Sequence, residues 1–291
     1  MSLTPLDINA NRRSFDRAAS SYDEHAVLQR EVASRLLERL EYLRHQPVTI
    51  LDLGSGTGSG SRSLAVKFPQ ASVIALDWSR SMLQQLVPED VVKPLCADMH
   101  TLPLASRSID LVFSNLAMQW SYDLPAIFRE FRRVMTTDAM LAFTSFGPDT
   151  LTELKQAWSS VDGLQHVNDM PDMHDIGDEL MAAGFREPVM DAERLTLEYP
   201  DVLALMRELK GLGENNVASQ RMRGLTGKTR LANVLQAYEQ FRQNDRYPAS
   251  FEVVYGVAFA PAEGQPMKTP EGDVATFSID QMLARSRNKG A

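Results

Sequence analysis

The stretch that decides the fold is residues 50–58, which read Ile-Leu-Asp-Leu-Gly-Ser-Gly-Thr-Gly. The apolar residues before the first glycine are typical of a short buried strand, and the glycines let the backbone turn and approach a ligand closely. A dinucleotide-binding loop, G-x-G-x-x-G, would need glycine at position 59 or 61, and both are serine. An ordinary strand-to-helix turn is the alternative, but it seldom needs three alternating glycines. The stretch therefore predicts a ligand-binding turn after a buried strand.

Outward from this stretch, short apolar runs alternate with segments of helical periodicity. Such alternation is typical of βαβ units, whose strands run parallel and are covered by helices on both faces. We expect an α/β protein with a doubly wound, mostly parallel, seven-stranded sheet. The predicted strands are residues 48–53, 72–76, 94–97, 109–114, 140–145, 189–199 and 250–260.

Composition suggests further parts of the chain. From Phe15 to Leu40 there is no Gly or Pro and apolar residues recur near helical spacing, which favours helix near the N-terminus. After the last strand the sequence is rich in Pro, Gly, Lys and Asp, which is typical of disorder. The predicted parts are an N-terminal helical segment (1–46), a ligand-binding α/β core (47–199), a helical lid insertion (200–247), the last core strand (248–260) and a disordered tail (261–291).

Composition and charge also exclude several classes of protein. The 291 residues are 44% hydrophobic, and the formal net charge of -8 argues against nucleic acid as the main partner. No run approaches the ~18 apolar residues of a membrane span, and no apolar segment resembles a secretory signal. The lone Cys96 and five histidines without metal-ligand spacing predict neither a disulfide framework nor a metal site. We expect a cytoplasmic protein that does not bind a membrane.

Polar residues stand at the ends of the next three predicted strands: Asp77, Asp98 and Asn115. The carboxyl ends of parallel strands meet at one edge of a sheet, which is where ligands bind in such folds. A solvated acid at one strand end is common, but two acids at successive ends after a Gly-rich turn favour a ligand site.

The G-x-G-x-G spacing after an acidic residue resembles motif I of the Rossmann-like class I S-adenosylmethionine methyltransferases. In that family an acid at the second strand end accepts from the ribose hydroxyls, and an Asp-Met pair like Asp98-Met99 contacts the adenine. The resemblance implies that S-adenosylmethionine is the cofactor. The residues implied to bind it are Asp52, Gly54, Ser55, Gly56, Gly58, Asp77, Trp78, Asp98, Met99 and Asn115.

Further motifs lie mostly outside the core. They are Phe15-x-x-Ala18-Ala19-x-x-Tyr22, Ser-Asn-Leu-Ala-Met-Gln-Trp at 114–120, Leu-Lys-Gly-Leu-Gly at 209–213 and Arg-Tyr-Pro at 246–248. Together they resemble the malonyl-acyl-carrier-protein O-methyltransferases of biotin biosynthesis, over residues 15–260. Two features depart from that family: the tail has no counterpart, and Leu-Gly-Ser-Gly-Thr-Gly at 53–58 replaces a commoner A-G-C-G-x-G.

This resemblance implies that the chain methylates the free carboxylate of malonyl-acyl carrier protein. A carboxylate has a pKa near ~4, so it is deprotonated at pH 7 and needs no general base. The sequence offers no Ser-His-Asp order and no Cys-His pair, and no catalytic residue is assigned. For Tyr22 and Trp120, simple packing is an equal alternative to a place in the substrate pocket. The candidates for that pocket are Tyr22, Gln119, Trp120, Arg207 and Lys210.

A basic island stands out in the otherwise acidic chain. Residues 207–230 hold six basic residues against two acids. Because acyl carrier protein is acidic, such an island would suit its docking, although charged runs are usually solvated helix faces. The island consists of Arg207, Lys210, Arg221, Arg223, Lys228 and Arg230.

Two other functions share the same core motifs. One is a methyltransferase for a small free acid such as trans-aconitate, which should not depend on the basic island. The other is an assembly factor with a methyltransferase fold that binds the cofactor without methylating a malonyl thioester. Turnover with malonyl-acyl carrier protein would separate them.

Overall fold

The computed structural model describes residues 5–42, 46–87, 91–219, 221, 224, 226–261, 267–269 and 272–274. The strands of its central sheet are β1 (Thr49–Leu53), β2 (Ser72–Asp77), β3 (Val92–Cys96), β4 (Ile109–Ser114), β5 (Met135–Phe146), β6 (Arg186–Tyr199) and β7 (Tyr247–Phe259). Their order is β3-β2-β1-β4-β5-β7-β6, with β7 antiparallel to both of its neighbours and the other pairs parallel. The predicted doubly wound, mostly parallel sheet is confirmed.

Helices cover both faces of this sheet. Ile50 packs in one buried cluster with residues of the N-terminal helices, whereas the next residue, Leu51, packs in a second cluster with Phe128 and Phe131. This alternation follows from the two-residue period of a strand. The helices are α1 (Ile8–Ala18), α2 (Tyr22–His25), α3 (Val27–Arg39), α4 (Ser59–Lys67), α5 (Arg80–Leu83), α6 (Leu124–Val134), α7 (Thr152–Ser159), α8 (Met173–Ala182), α9 (Val202–Gly211) and α10 (Lys228–Tyr238).

The N-terminal segment is helical and is divided into α1, α2 and α3. The chain leaves helical geometry after α1 and again at Ala26, between α2 and α3. Asp23 explains the break, because its side chain accepts a hydrogen bond from Thr57 Oγ1 (2.6 Å) in the Gly-rich loop. Arg30 also donates to the Asp23 carbonyl (2.6 Å). These tertiary contacts override local helix propensity.

The insertion between β6 and β7 carries α9 and α10. Tyr199 pairs with Tyr247 at the end of the two strands, so the insertion leaves and re-enters the sheet at adjacent positions. The loop after α9 runs beside the N-terminus, where the Asp7 N–H donates to the Val217 carbonyl (2.7 Å). The Ser219 N–H donates in the same way to the Pro5 carbonyl (2.8 Å). The N-terminal segment and the insertion therefore lie side by side.

Most of the predicted disordered tail lies outside the described residues. Within it, Met267–Thr269 and Gly272–Val274 form a short antiparallel strand pair. In the part of the chain that the structure describes, no helix combines the length and the apolar character needed to span a bilayer.

Candidate active site

The Gly-rich loop after β1 needs glycine for its shape. Gly54, Gly56 and Gly58 have φ of 71°, 55° and 86°, a region that other residues rarely adopt. A Cβ added at Gly54 would lie 2.2 Å from the Cβ of Ala117. A Cβ at Gly56 would meet nothing nearer than the Tyr22 ring at 3.9 Å. The loop is therefore tight at Gly54 and open at Gly56, where a ligand can approach the backbone.

Asp77 ends β2 beside this loop. Its two oxygens accept hydrogen bonds from the backbone N–H groups of Gly56 (2.9 Å) and Ser79 (2.8 Å). Burial raises the pKa of Asp77 to about 6, and the two backbone donors oppose that shift. An ionised carboxylate has about four lone-pair sites, so both oxygens can still accept from hydroxyl groups of a ligand.

Asp52 links strand β1 to the start of helix α4, which follows the Gly-rich loop. It is buried on β1 and accepts a hydrogen bond from Ser61 Oγ (2.5 Å) in the first turn of α4. Burial raises the pKa of Asp52 to about 7, and the Ser61 hydroxyl opposes the shift. The residue before Ser61 is Gly60, where an added Cβ would lie 3.2 Å from Asp52 Oδ2. Asp52 thus fastens the start of α4 to the strand.

A pocket of about 560 Å³ opens where β1, β2, β3 and β4 end, and we call it the strand-end pocket. It brings together six of the residues implied by the sequence to bind the cofactor: Gly54, Gly56, Asp77, Trp78, Met99 and Asn115. It also contains residues that the sequence analysis did not assign to the cofactor. They are Phe15, Tyr22, Leu76, Met82, Ala97, Leu116, Ala117 and Trp120.

Some of these additional residues could have been predicted from the sequence, and others could not. Phe15, Leu116 and Ala117 belong to the quoted family motifs, which could have marked them. Met82 comes from the short helix α5, and no residue pattern distinguishes it from an ordinary core methionine.

A second pocket of about 470 Å³ adjoins the first along the Gly-rich loop, and we call it the loop pocket. Its lining includes Gln29, Asp52 and Ser55, and it shares Tyr22 and Asn115 with the strand-end pocket. Among the described residues, Ser55 Oγ and Gln29 Oε1 are buried and have no hydrogen-bond partner. Buried polar atoms are nearly always satisfied, so these two oxygens point to a polar ligand in this pocket.

Asn115 is fixed at the boundary of the two pockets. Its side-chain amide donates to the Gln29 carbonyl (3.0 Å), and its oxygen accepts from Thr144 Oγ1 (2.8 Å). The residue therefore joins β4 to α3 and β5, and it lines the loop pocket together with residues of the Gly-rich loop.

The N-terminal segment covers the strand-end pocket. Tyr22 lines both pockets, and Phe15 packs edge-to-face on Trp120 with ring centroids 5.5 Å apart. Burial is the main cause that raises the pKa of Tyr22 far above its usual range, so its phenol stays neutral and can donate a hydrogen bond. Aromatic side chains thus shield this end of the pocket from water.

Five predicted site residues do not line these pockets: Gly58, Asp98 and Gln119, and also Arg207 and Lys210, which line a separate groove described below. Gly58 precedes α4, and an added Cβ there would lie 2.2 Å from Leu86 Cδ2. The half-exposed Asp98 accepts from the His100 N–H (2.9 Å). Gln119 is buried and donates to the Leu116 carbonyl (2.8 Å). Their contribution to binding stays a prediction.

The basic island divides in the structure. Arg207, Lys210 and Arg221 line a groove together with Arg13 and Arg17 of α1, and we call this the basic groove. No described residue that lines it is acidic. Arg13 and Arg17 were missed because the sequence analysis searched one continuous segment, although their spacing of four residues places them on one helix face.

The rest of the island lies elsewhere or outside the described residues. Lys228 and Arg230 begin α10 and do not line the groove, and Arg230 pairs with Asp162 (3.4 Å). Arg223 lies outside the described residues. Only part of the island therefore lines the groove, and the island as a docking surface stays a prediction.

His100, His166 and His174 are each paired with a neighbouring aspartate. His100 pairs with Asp98 (2.7 Å) and stacks on Tyr122, and His166 pairs with Asp162 (2.9 Å) and stacks on Trp158. Within the described ranges, no three His, Cys, Asp or Glu side chains are grouped so that they could hold a metal ion.

Comparison with known proteins gives close relatives over nearly the whole chain. A family profile described as a methyltransferase domain matches residues 51–143. The malonyl-[acyl-carrier protein] O-methyltransferase of Gallionella capsiferriformans (strain ES-2) is 51% identical over 267 residues, covering 88% of this chain and 92% of the relative. The protein of the same name from Laribacter hongkongensis (strain HLHK9) is 46% identical over 279 residues, covering 91% and 94%.

Solved structures show the same fold at low sequence identity. The YcgJ protein of Bacillus subtilis has a TM-score of 0.55 at 13% identity, covering 78% of this chain and 97% of that one. Phosphoethanolamine N-methyltransferase 2 of Haemonchus contortus, in complex with S-adenosyl-L-methionine, has a TM-score of 0.52 at 16% identity, covering 84% and 57%.

Proposed function

The chain belongs to the malonyl-[acyl-carrier protein] O-methyltransferase family and is a methyltransferase, and from this membership we propose its substrate, cofactor and partner. We propose that it transfers a methyl group from S-adenosylmethionine to the free carboxylate of malonyl-acyl carrier protein. The identity of the acceptor is supported by the 51% sequence identity to a malonyl-[acyl-carrier protein] O-methyltransferase, which the chain matches over 92% of that relative's length. The cytoplasmic location expected from the sequence stays a prediction.

The two adjoining pockets fit the proposed cofactor. Asp77, with free lone pairs on both oxygens, suits the two hydroxyls of a ribose, and Met99 and Trp78 suit the adenine. The unpartnered Gln29 Oε1 and Ser55 Oγ suit the ammonium and carboxylate of the methionine end. When bound, S-adenosylmethionine supplies an electrophilic methyl group, whose transfer to a carboxylate leaves a neutral ester and a neutral thioether.

The residues around the pockets do not need to remove a proton. The acceptor carboxylate is already ionised at pH 7, since its ordinary pKa is near ~4. Tyr22 has a strongly raised pKa and cannot serve as a base at that pH. The task of the protein is to hold the acceptor in line with the methyl group, and such positioning contributes up to ~7–11 kcal/mol.

The character of the strand-end pocket suits a reaction in which charge disappears. Among its described lining residues there is no Lys or Arg, and Phe15, Tyr22 and Trp120 shield it. A fixed cation would stabilise the acceptor carboxylate more than the less charged transition state, and only differential stabilisation speeds the reaction. A dry wall without fixed cations around the acceptor therefore favours transfer.

The basic groove is the surface that we propose for docking of the acidic carrier protein. Arg13, Arg17, Arg207, Lys210 and Arg221 line it, in a chain whose net charge is -8. Arg207 and Arg221 have intramolecular partners, at 3.4 Å from Asp201 and 3.1 Å from Asp7, and they remain on the groove wall. Complementary charge steers association and fixes orientation.

A methyl-transfer assay with competing acceptors tests the function. Malonyl-acyl carrier protein should be methylated with the highest kcat/KM, malonyl-coenzyme A less well, and free malonate or trans-aconitate slowest. Preference for a free diacid would instead support the small-acid enzyme. Cofactor binding without turnover of any acceptor would support the assembly factor.

A further inference from the structure

A third cavity shares lining residues with the strand-end pocket and with the basic groove, and we call it the inner cavity. Trp120 lines both the inner cavity and the strand-end pocket. Asn216 lines both the inner cavity and the basic groove. The inner cavity therefore shares a wall with the charged groove on one side and with the place where methyl transfer is proposed on another.

The walls of the inner cavity combine apolar and polar groups. Phe146, Leu154, Met170 and Leu209 give it an apolar surface, and Asn216 stands at its outer edge. Such a lining fits a flexible chain that is mostly methylene but carries amide groups. A free small diacid would leave most of this apolar surface without a partner.

Hydrogen bonds between distant segments hold the cavity in shape. Asn168 donates to the Asn215 carbonyl (3.1 Å) and accepts from the Val217 N–H (3.0 Å). Asn216 donates to the Gln165 carbonyl (2.6 Å). The loop after α9 is thereby fastened to residues 165–168, so the cavity is a built feature and not a gap between loosely placed loops.

We propose that the inner cavity binds the pantetheine arm that carries the malonyl thioester, with the carrier protein in the basic groove and the malonyl carboxylate beside Trp120. This inference rests on the proposed function, because it assumes that the acceptor is delivered on such an arm. It adds a binding site for the arm and makes the lining of the cavity a determinant of which thioesters reach the methyl group.

A variant that fills the cavity tests the proposal. Leu209→Trp places a larger side chain in the cavity, and Leu203→Trp, on the same helix and 40% exposed, is the matched control. We expect Leu209→Trp to lower kcat/KM about 10- to 100-fold, since misplacement of a substrate by about 1 Å can cost that much. The loss should be similar for malonyl-acyl carrier protein and malonyl-pantetheine. Cofactor affinity, measured by calorimetry, should not change.

Met170 lines the cavity from another segment of the chain, so Met170→Trp is the second test variant if Leu209→Trp does not fold. Calorimetric binding of malonyl-pantetheine should weaken in both variants and not in Leu203→Trp. Unchanged binding and turnover in a folded Leu209→Trp or Met170→Trp protein would overturn the inference, while wild-type turnover would leave the proposed function intact. If wild-type protein does not methylate malonyl-acyl carrier protein, the proposed function itself fails.

Discussion

The cofactor side and the acceptor side of this molecule are built in different ways. On the cofactor side, the Gly-rich loop and Asp77 directly follow or end neighbouring strands of one parallel sheet. On the acceptor side, the basic groove and the inner cavity are assembled from α1, residues 165–170, α9 and the loop after it. A site at strand ends is positioned by the sheet itself, whereas the acceptor side depends on contacts between distant segments.

Because the two sides are built from different segments, substitutions on the cofactor side should not change the affinity for the acceptor, and substitutions on the acceptor side should not change the affinity for the cofactor. Gly54→Ala should give the largest effect, because it combines a positive φ with a Cβ 2.2 Å from the Cβ of Ala117. Local backbone strain costs up to about 3 kcal/mol, so we expect the affinity for the cofactor to fall about 100-fold. Calorimetry with S-adenosylhomocysteine measures it.

The control for this variant is Gly56→Ala, where φ is also positive but the added Cβ has space. It should lose less affinity than Gly54→Ala. Equal losses in the two variants would show that the close approach to Ala117 is not what constrains the loop.

Asp77→Ala should give the next largest effect on the cofactor side. It removes a carboxylate proposed to accept from two ribose hydroxyls, and hydrogen bonds to charged groups contribute about 1.5–3 kcal/mol, so affinity should fall about 10- to 100-fold. Asp191→Ala, an exposed acid on β6, is the control. KM for malonyl-pantetheine at saturating cofactor should not change. If Asp77→Ala bound the cofactor with normal affinity, Asp77 would not be a cofactor-binding residue.

Charge reversal of the basic groove tests the acceptor side. Arg13→Glu with Arg17→Glu should lower kcat/KM for malonyl-acyl carrier protein about tenfold and weaken its dependence on salt, since exposed charges act through screened, modest interactions. Turnover of malonyl-pantetheine and cofactor affinity should not change. Arg129→Glu, on the exposed part of α6, is the control. If the double reversal did not change kcat/KM for malonyl-acyl carrier protein, the groove would be an ordinary solvated surface and not a docking site.

Acid should weaken cofactor binding by a smaller factor. The pKa of Asp77 is raised to about 6 by burial, so the ionised form that accepts from hydroxyls is present above pH 6 and is lost as pH falls through that value. Protonation in the free protein competes with binding, and affinity should drop about fourfold at pH ~5.5 relative to pH ~7.5. Calorimetry across this range measures it, and a flat profile would contradict the assignment.

The smallest effect is expected in the chemical step. At saturating cofactor and malonyl-pantetheine, kcat should stay level between about pH 6.5 and 8, because the acceptor carboxylate is ionised throughout. A sigmoidal rise with a midpoint near pH 7 would reveal a titrating base, and the first residue to replace would be Glu214, which lines the inner cavity and whose pKa is raised to about 7 by burial.

The difference between the two sides also explains what the sequence could reveal. The positions of the strands and their mostly parallel pairing follow from local apolar runs. The residues that come directly after these runs place Asp77 and Asn115 at the ends of strands. The break between α1 and α3 could not be predicted, because it depends on the bond between Asp23 and Thr57. For the same reason Arg13 and Arg17 were not joined to Arg207, which is distant in sequence and meets them only in the folded chain.

The pairing of Tyr199 with Tyr247 has a consequence for how this chain can change during evolution. The insertion starts and finishes on neighbouring residues of one strand pair, whatever its length and content. Lengthening a flexible loop costs only about 0.6 kcal/mol for each doubling. The insertion can therefore change in length or content during evolution without altering the register of the sheet, provided that contacts such as the hydrogen bond from Gln29 to Glu214 (3.0 Å) are kept.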